Sequence, residues 1–310
     1  MTEYFRSLMV SAGDDQAKIE SFTRAAADCY LIDLEHAVAE DRKSIARAAA
    51  AKAMSLDWGR RKKGVRLNEG TSEHFEADFQ EIARAKPDFI MLPKVHSADE
   101  MQHLARLLDT VPEAANIRLW AMVETCAAVQ NIDQIAAASP RMQVLFFGGG
   151  DYAVDLGTKK DSLRQKSPLV GHPRQVELIY ARSRIATSAK AHGLKSIDPG
   201  EFLARNDAAA VSDAAMYGFQ FGFDGVVAWA PAHVELIHQA YAPAAEDLDW
   251  ARKVVAAYEV ALREGKSITQ VEGVDIKAST AKSAQDLLRR AVDLAAWDAV
   301  LQAPRTDSRA

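Results

Sequence analysis

Two acidic residues stand where apolar runs empty into loops, and that placement suggests a site for a hard cation. The run LWAMVETCAAV carries Glu124 near its end, and MQVLFFGGGDYAVDLG carries Asp151 just after three glycines. A carboxylate in such a run is poor core filler, because an unpaired buried charge is too costly. Two of them on successive strands offer the oxygen ligands that Mg2+ or Mn2+ accepts. They would leave coordination positions open for substrate oxygens. Arg66 ends an earlier apolar run; its guanidinium is permanently charged and grips carboxylate or carbonyl oxygens with two donors. The trio suits a substrate with a carboxylate beside a carbonyl or hydroxyl, such as a 2-oxo acid. The metal would then act as a Lewis acid on an enolate-like intermediate, which favours carbon–carbon bond cleavage or formation.

The elements that must position these residues alternate along the chain. Short apolar runs at Ser7–Ala12, Cys29–Leu34, Gly64–Leu67, Phe89–Val95, Arg118–Glu124, Gln143–Phe147, Leu194–Ile197 and Gly225–Trp229 read as buried strands. Between them lie helix-like stretches such as Asp15–Ala27, Ala39–Ala53, Ser97–Leu108 and Arg174–His192, the last with Pro173 as initiator. Eight β-then-α units in 310 residues predict an α/β fold, a (β/α)8 TIM barrel over 1–243. A doubly wound open sheet is weaker, since SAGDDQ after the first strand is not a dinucleotide-binding turn. After Tyr241 the alternation stops. Residues 244–310 read as a C-terminal helical lid or oligomerisation segment, with helices at Glu246–Glu264 and Thr280–Val300 around a polar turn, Gly265–Asp275. Such a segment is too small for an independent core and is expected to pack on the barrel or a neighbouring subunit.

Composition narrows the class. The chain is 48% hydrophobic and 26% charged with a net charge of −5, which fits a globular protein and argues against a nucleic-acid partner. The short basic cluster Arg60–Lys63 reads as a solvated face or helix end. Cys29 and Cys126, far apart and in apolar surroundings, read as buried reduced thiols of a cytoplasmic protein. No apolar run approaches membrane-spanning length.

In a barrel of this kind the chemistry sits at the C-terminal strand ends. Those ends carry Asp33, Glu35 and His36; Arg66 and Asn68; Lys94; Glu124; Gly148, Gly149, Gly150 and Asp151; Asp198; and Trp229 to Pro231. Each has a bland reading as well. Asp33 or Glu35 could cap the next helix or pair with Arg66. A lone His36 is more often a satisfied polar residue than a base. Lys94 could snorkel to the surface, and Asp198 before Pro199 reads as a turn residue. The triple glycine could be a tight turn, or could let backbone N–H groups approach a ligand.

At these residues the chain resembles the citrate lyase β-subunit-like proteins of the HpcH/HpaI aldolase superfamily. The likeness runs through FRSLMVSAG, YLIDLEHAV, VRLNEGT, MLPKV, AMVET, FFGGGDYAVDLG, YARSRI, FGFDGVVAWAPAHV and EGVDIKASTAKSAQDLL, in that order. The resemblance implies a (β/α)8 barrel, a Mg2+ or similar ion held by Glu124 and Asp151, and a homotrimer or hexamer. It implies a lyase acting on malyl-, citramalyl- or citryl-thioesters of coenzyme A. Arg66 would bind the oxo-acid end, helped by Gly149 and Gly150. Lys94 and Arg6 are further substrate-binding candidates from the same motifs, and Glu35 a catalytic one. Asp275, in GVDIKAS, matches an acid that relatives project from a C-terminal lid into a neighbour's site, there to act as acid or base. Its bland reading is an acid near a helix N-terminus.

Departures from the pattern open alternatives. DLEH replaces the usual DLED, and His36 matches the DGEH histidine that serves as base in the pyruvate-dependent aldolase branch. GVVAWAP replaces GK…IHP, so Val226 stands where lysine is expected and Ala230 where histidine is, which bears on coenzyme A binding. MVSAG replaces FVPG. The alternatives are a pyruvate-type aldolase on free hydroxy-oxo acids with His36 as base and, lower, a non-catalytic barrel subunit.

Overall fold

The computed structural model describes residues 3–158, 175–200 and 207–302. Eight parallel strands close a barrel in sequence order: β1 Ser7–Ala12, β2 Cys29–Asp33, β3 Lys62–Arg66, β4 Phe89–Leu92, β5 Arg118–Val123, β6 Met142–Phe147, β7 Lys195–Asp198 and β8 Gly225–Ala228. Pairing of Ser7, Leu8 and Met9 with Val226, Val227 and Ala228 seals the ring. The helices of this ring are α1 Gln16–Phe22, α2 Lys43–Ala53, α3 Phe75–Arg84, α4 Ala98–Asp109, α5 Cys126–Gln130, α6 Ile132–Ala136, α7 Gly149–Asp155, α8 Ile179–Ala191, α9 Ala208–Gln220 and α10 Pro231–Tyr241. The expected TIM barrel is therefore the observed one. Pro173 and Arg174 lie outside the described residues, and α8 is preceded by a short 3-10 turn at Val176–Leu178.

Both faces of each strand are buried, one in the barrel and one under helices, which is why the strands read as continuous apolar runs. Inside, Phe5, Leu8, Cys29, Phe89, Trp120, Val144 and Ile197 fill the barrel, with Phe89 stacked on Trp120 at 3.5 Å between centroids. At the closure, a Cβ on Gly225 would lie 1.8 Å from the Phe5 carbonyl oxygen, so only glycine lets β8 meet β1. Arg61, expected on a solvated face, is instead buried, donating to the Thr23 and Trp58 carbonyls at 3.3 Å. Cys29 is buried, but Cys126 is only half-buried because it opens α5 at the rim.

The described chain divides into two compact units, one of residues 5–240 and one of residues 3–4 with 241–302, the break falling just before Pro243. The second contains α11 Ala245–Arg263 and α12 Ala278–Gln302. The stretch expected as a polar turn holds an antiparallel hairpin, β9 Thr269–Val271 and β10 Val274–Ile276. Its Glu272-Gly273 corner has both φ angles positive (51° and 81°), the geometry of a tight hairpin turn. Alternation in TQV and VDI puts Val271 and Ile276 on the inner face, where they join Ala251, Val254, Ala281 and Ala284 in a small core. Among the described residues no helix is long and apolar enough to cross a membrane.

Candidate active site

A cavity of about 500 Å3 opens at the C-terminal end of the barrel, lined among others by Asp33, His36, Arg66, Gly148, Gly149, Gly150 and Asp151. Period-two alternation puts Asp33, Arg66 and Glu124 on the inward face at the top of β2, β3 and β5. Arg66 is clamped by Asp33: Nε donates to Oδ1 at 2.7 Å and Nη2 to Oδ2 at 2.6 Å. Its Nη1 lies 3.0 Å from Glu35 Oε2 and donates to the Met122 sulfur at 3.4 Å. Burial works against the charge of Asp33, yet the guanidinium and the amides of Glu35 and Ala37 hold its carboxyl below the ordinary range. Burial likewise pulls Arg66 down, and the charges of Asp33, Glu35 and Glu124 more than reverse it. Arg66 is thus a fixed cation at the cavity wall, and Asp33 both pairs with it and caps the turn after β2.

Glu124 is fully buried. Its Oε1 accepts the Lys94 backbone N–H at 2.7 Å, a contact reached because Lys94 has a positive φ of 47°. Among the described residues its buried Oε2 has no hydrogen-bond partner, and it faces Gly148; a Cβ there would lie 2.6 Å from that oxygen. Burial, with Asp151 and Glu35 adding to it against the Lys94 amide and Arg66, pushes the Glu124 pKa up to about 8. Asp151, about half exposed, lies at the mouth in the first turn of α7. An unpartnered carboxylate oxygen against a bare glycine, with a second carboxylate at the mouth, fits a divalent ion. Mg2+ in particular is often held by one or two carboxylates and keeps waters elsewhere.

The loop after β2 brings in the other two rim residues. Glu35 is buried, its pKa raised by burial and by Asp33 against the nearby cations. His36 is half exposed, with Nε2 3.4 Å from Glu35 Oε1 and Nδ1 3.8 Å from Asp151 Oδ2. A buried network that strand-end reading missed holds this loop. Lys43 Nζ donates to the carbonyls of Leu34 and Glu35 and to Asn68 Oδ1, each at 2.7 Å. Asn68 Nδ2 in turn donates to Asp78 at 2.6 Å, and Asp78 also takes Arg47. A lysine on the first turn of an amphipathic helix carries no local signal that it turns inward.

Several expected site residues stand elsewhere. Arg6 precedes β1 at the opposite end of the barrel, 1% exposed. It holds Asp28 through Nε at 2.9 Å and Nη2 at 3.0 Å, and it does not line this cavity. Truncation to Ala is expected to cost about 3–5 kcal/mol of stability by taking the guanidinium away from the buried Asp28 carboxylate. Denaturant unfolding would measure that loss, with ligand affinity unchanged in the folded fraction. Lys94 is not in the cavity wall either, because Nζ is turned toward Glu69 (3.1 Å) and Glu35 (3.6 Å); its link to the site is the amide on Glu124. Asp198 faces outward from β7 to Arg182 Nε at 2.7 Å and also accepts the Gly200 N–H, so its turn role is joined by an ion pair. Val226 lies outward among Val211, Ala214 and Ile237, whereas Val227 faces the cavity. Asp275, in β10 of the second unit, is exposed and accepts Gln270 Nε2 at 2.7 Å. Among the described residues, the one set of three acid or imidazole groups within 4.8 Å of one another is Glu40, Glu73 and His74, outside this cavity.

Charged residues gathered at the C-terminal rim of a closed parallel barrel stand where TIM-barrel enzymes carry their active sites. Residues 6–231 match the profile of the HpcH/HpaI aldolase/citrate lyase family, and the chain belongs to that family. It is 31% identical over 296 residues to a (3S)-malyl-CoA thioesterase of Cereibacter sphaeroides, covering 95% of this chain and 97% of the relative. It is 28% identical to an L-malyl-CoA/beta-methylmalyl-CoA lyase of the same species, over 92% and 94% of the two chains. Among solved structures it is similar to CitE of Mycobacterium tuberculosis in complex with magnesium, acetoacetate and coenzyme A. The TM-score is 0.77 at 27% identity, over 93% of this chain and 98% of that one.

Proposed function

We propose that this chain is a divalent-metal-dependent carbon–carbon lyase. It splits a 3-hydroxyacyl thioester of coenzyme A, of the malyl, citramalyl or citryl kind, into a 2-oxo acid and a shorter acyl thioester, or joins the two. The observation that carries the reading is Glu124: a buried carboxylate whose Oε2 lacks a partner, set against Gly148 beside Asp151. The magnesium and coenzyme A bound by the CitE relative, and the malyl-CoA lyase relative, support it. When held by Glu124 and Asp151, Mg2+ or Mn2+ would supply Lewis acidity toward the oxygens of the 2-oxo acid half. Arg66, oriented by Asp33, grips the carboxylate of that half, and Gly149 and Gly150 let it approach the wall closely. In cleavage the 3-hydroxyl loses its proton to a base, the bond between carbons 2 and 3 breaks, and carbon 2 takes up a proton. Glu35 and His36, with Asp275 supplied by a neighbouring subunit, are the residues proposed to hold those protons. The active assembly is proposed to be a homotrimer or hexamer.

The test is cleavage of malyl- and citramalyl-CoA before and after stripping with EDTA, with 2-oxo acid and free thiol measured separately. Metal-dependent release of 2-oxo acid is expected. Full activity in the stripped protein would sink the reading, and thiol release without 2-oxo acid would make the chain a thioesterase like its other relatives.

A second reading, a pyruvate-type aldolase on free hydroxy-oxo acids, is favoured by His36. Its ring lies at the cavity between Glu35 and Asp151, placed to take a proton from a bound 2-oxo acid. On this reading His36→Ala lowers proton exchange of bound pyruvate by about 10²–10⁴-fold, the usual contribution of a general base, and leaves metal affinity nearly unchanged. An unaltered exchange rate, followed by NMR in deuterated water, removes it.

A further inference from the structure

The rim explains how a 2-oxo acid would be held, but not what fills the cavity beneath it. Side chains repeat every second residue on the inner face of a strand. Leu31, Met91, Met122 and Phe146 therefore stand one layer below Asp33, Pro93, Glu124 and Gly148, and with Val10 and Val227 they form a cavity floor. That floor is entirely apolar. The charged residues of the wall belong to the rim and its loops: Asp15, Lys18, Asp33, His36, Arg66 and Asp151. The cavity, about 500 Å3, is within the range of sites that enclose drug-sized ligands, and it takes in the rim, the mouth and this floor together.

We propose that the 2-oxo acid taken by this site carries an extended apolar side chain, alkyl or aryl, seated on this floor. The inference rests on the reading of the rim as a 2-oxo acid site. With the carboxylate at Arg66 and the thioester half leaving through the mouth, the remaining substituent points down the barrel. An apolar group there leaves water for Leu31, Phe146 and Val227, at a gain of about two- to fourfold in affinity per methylene. A second carboxylate there would lose its hydration and meet no cation. Among the thioesters proposed above, the malyl and citramalyl kinds give 2-oxo acids with no side chain or a single methyl, so the inference extends the substrate class to their longer apolar homologues; the floor selects against the citryl kind, whose 2-oxo acid half is itself a dicarboxylate.

Calorimetry on the Mg2+-supplemented protein tests this with glyoxylate, pyruvate, 2-oxobutyrate, 2-oxovalerate and oxaloacetate. Affinity is expected to rise by about two- to fourfold at each added carbon beyond pyruvate, with oxaloacetate weaker than 2-oxovalerate. A flat or falling series in which glyoxylate and pyruvate still bind overturns the proposal and leaves the function reading standing. Absence of metal-dependent binding by any of the five overturns both. Phe146→Trp fills the floor and should flatten the series; an unchanged slope in that variant counts against the floor as the binding surface. Should the variant not fold, the series on the unmodified protein still decides.

Discussion

Replacing Glu124 with Gln is expected to abolish the proposed divalent-metal binding and to stabilise the metal-free protein at pH 8. The two effects have one origin. The Glu124 carboxyl is held near a pKa of about 8, chiefly by burial, against an ordinary value of 4.5. For an acid whose pKa is raised by folding, the unfolded chain ionises first. The cost to stability is therefore absent below pH 4.5 and grows until the folded group also ionises near pH 8. At about 1.4 kcal/mol for each pH unit of displacement, the cost at pH 8 is on the order of a few kcal/mol. Glutamine keeps the shape and the acceptor for the Lys94 amide, and carries no charge to bury. Urea unfolding of the metal-free proteins should show the unmodified chain losing stability from pH 4.5 to 8 relative to the variant; parallel profiles would refute the assignment. Metal must displace the Glu124 proton, so affinity should climb by up to about tenfold per pH unit below pH 8 and level off above it. Loss of the ion removes several kcal/mol of Lewis-acid stabilisation, on the order of 10³-fold in kcat/KM.

Arg66→Met gives the next largest change, and it strikes stability and binding together. The guanidinium neutralises Asp33 and Glu35, both buried. Its loss leaves the buried Asp33 carboxylate without its guanidinium and Glu35 with Lys94 at 3.6 Å, a cost of about 3–5 kcal/mol and on the order of 10 °C in melting temperature for a barrel of this size. The same change removes the fork proposed to hold the 2-oxo acid. Adding Asp33→Asn should recover part of the stability and none of the affinity for pyruvate, a separation that a structural role alone would not produce. Arg66→Lys keeps one charge but cannot bridge both Asp33 oxygens, so it should fold better than the Met variant and still bind the acid weakly. Pyruvate affinity unchanged in Arg66→Met would remove this residue from the site.

Much of the rim was legible in the chain, because its signals are local. A buried strand announces itself as an apolar run, alternation fixes which residues face inward, and a carboxylate at the end of such a run stands out. That reasoning placed Asp33, Arg66, Glu124, the glycines and Asp151 at one end of eight strands. The resemblance extended it, and carried Arg6 and Lys94 too far, because a motif records which residues recur and not which way they face. The Arg6 partner is Asp28, twenty-two positions away, and the two meet only when β1 pairs with β2. Lys94 is tied to the site through its backbone, at a positive φ that side-chain logic does not anticipate.

By itself, then, the sequence determined the barrel and the end of it at which the acid pair and its arginine gather, since each follows from periodicity and the cost of burying charge. Only the tertiary structure decided the rest. Pairing of neighbouring strands set Gly148 against Glu124 and left that oxygen without a partner among the described residues, and it clamped Arg66 on Asp33. These are contacts between residues on different strands. They depend on register and on the distance of closest approach, which no local pattern encodes.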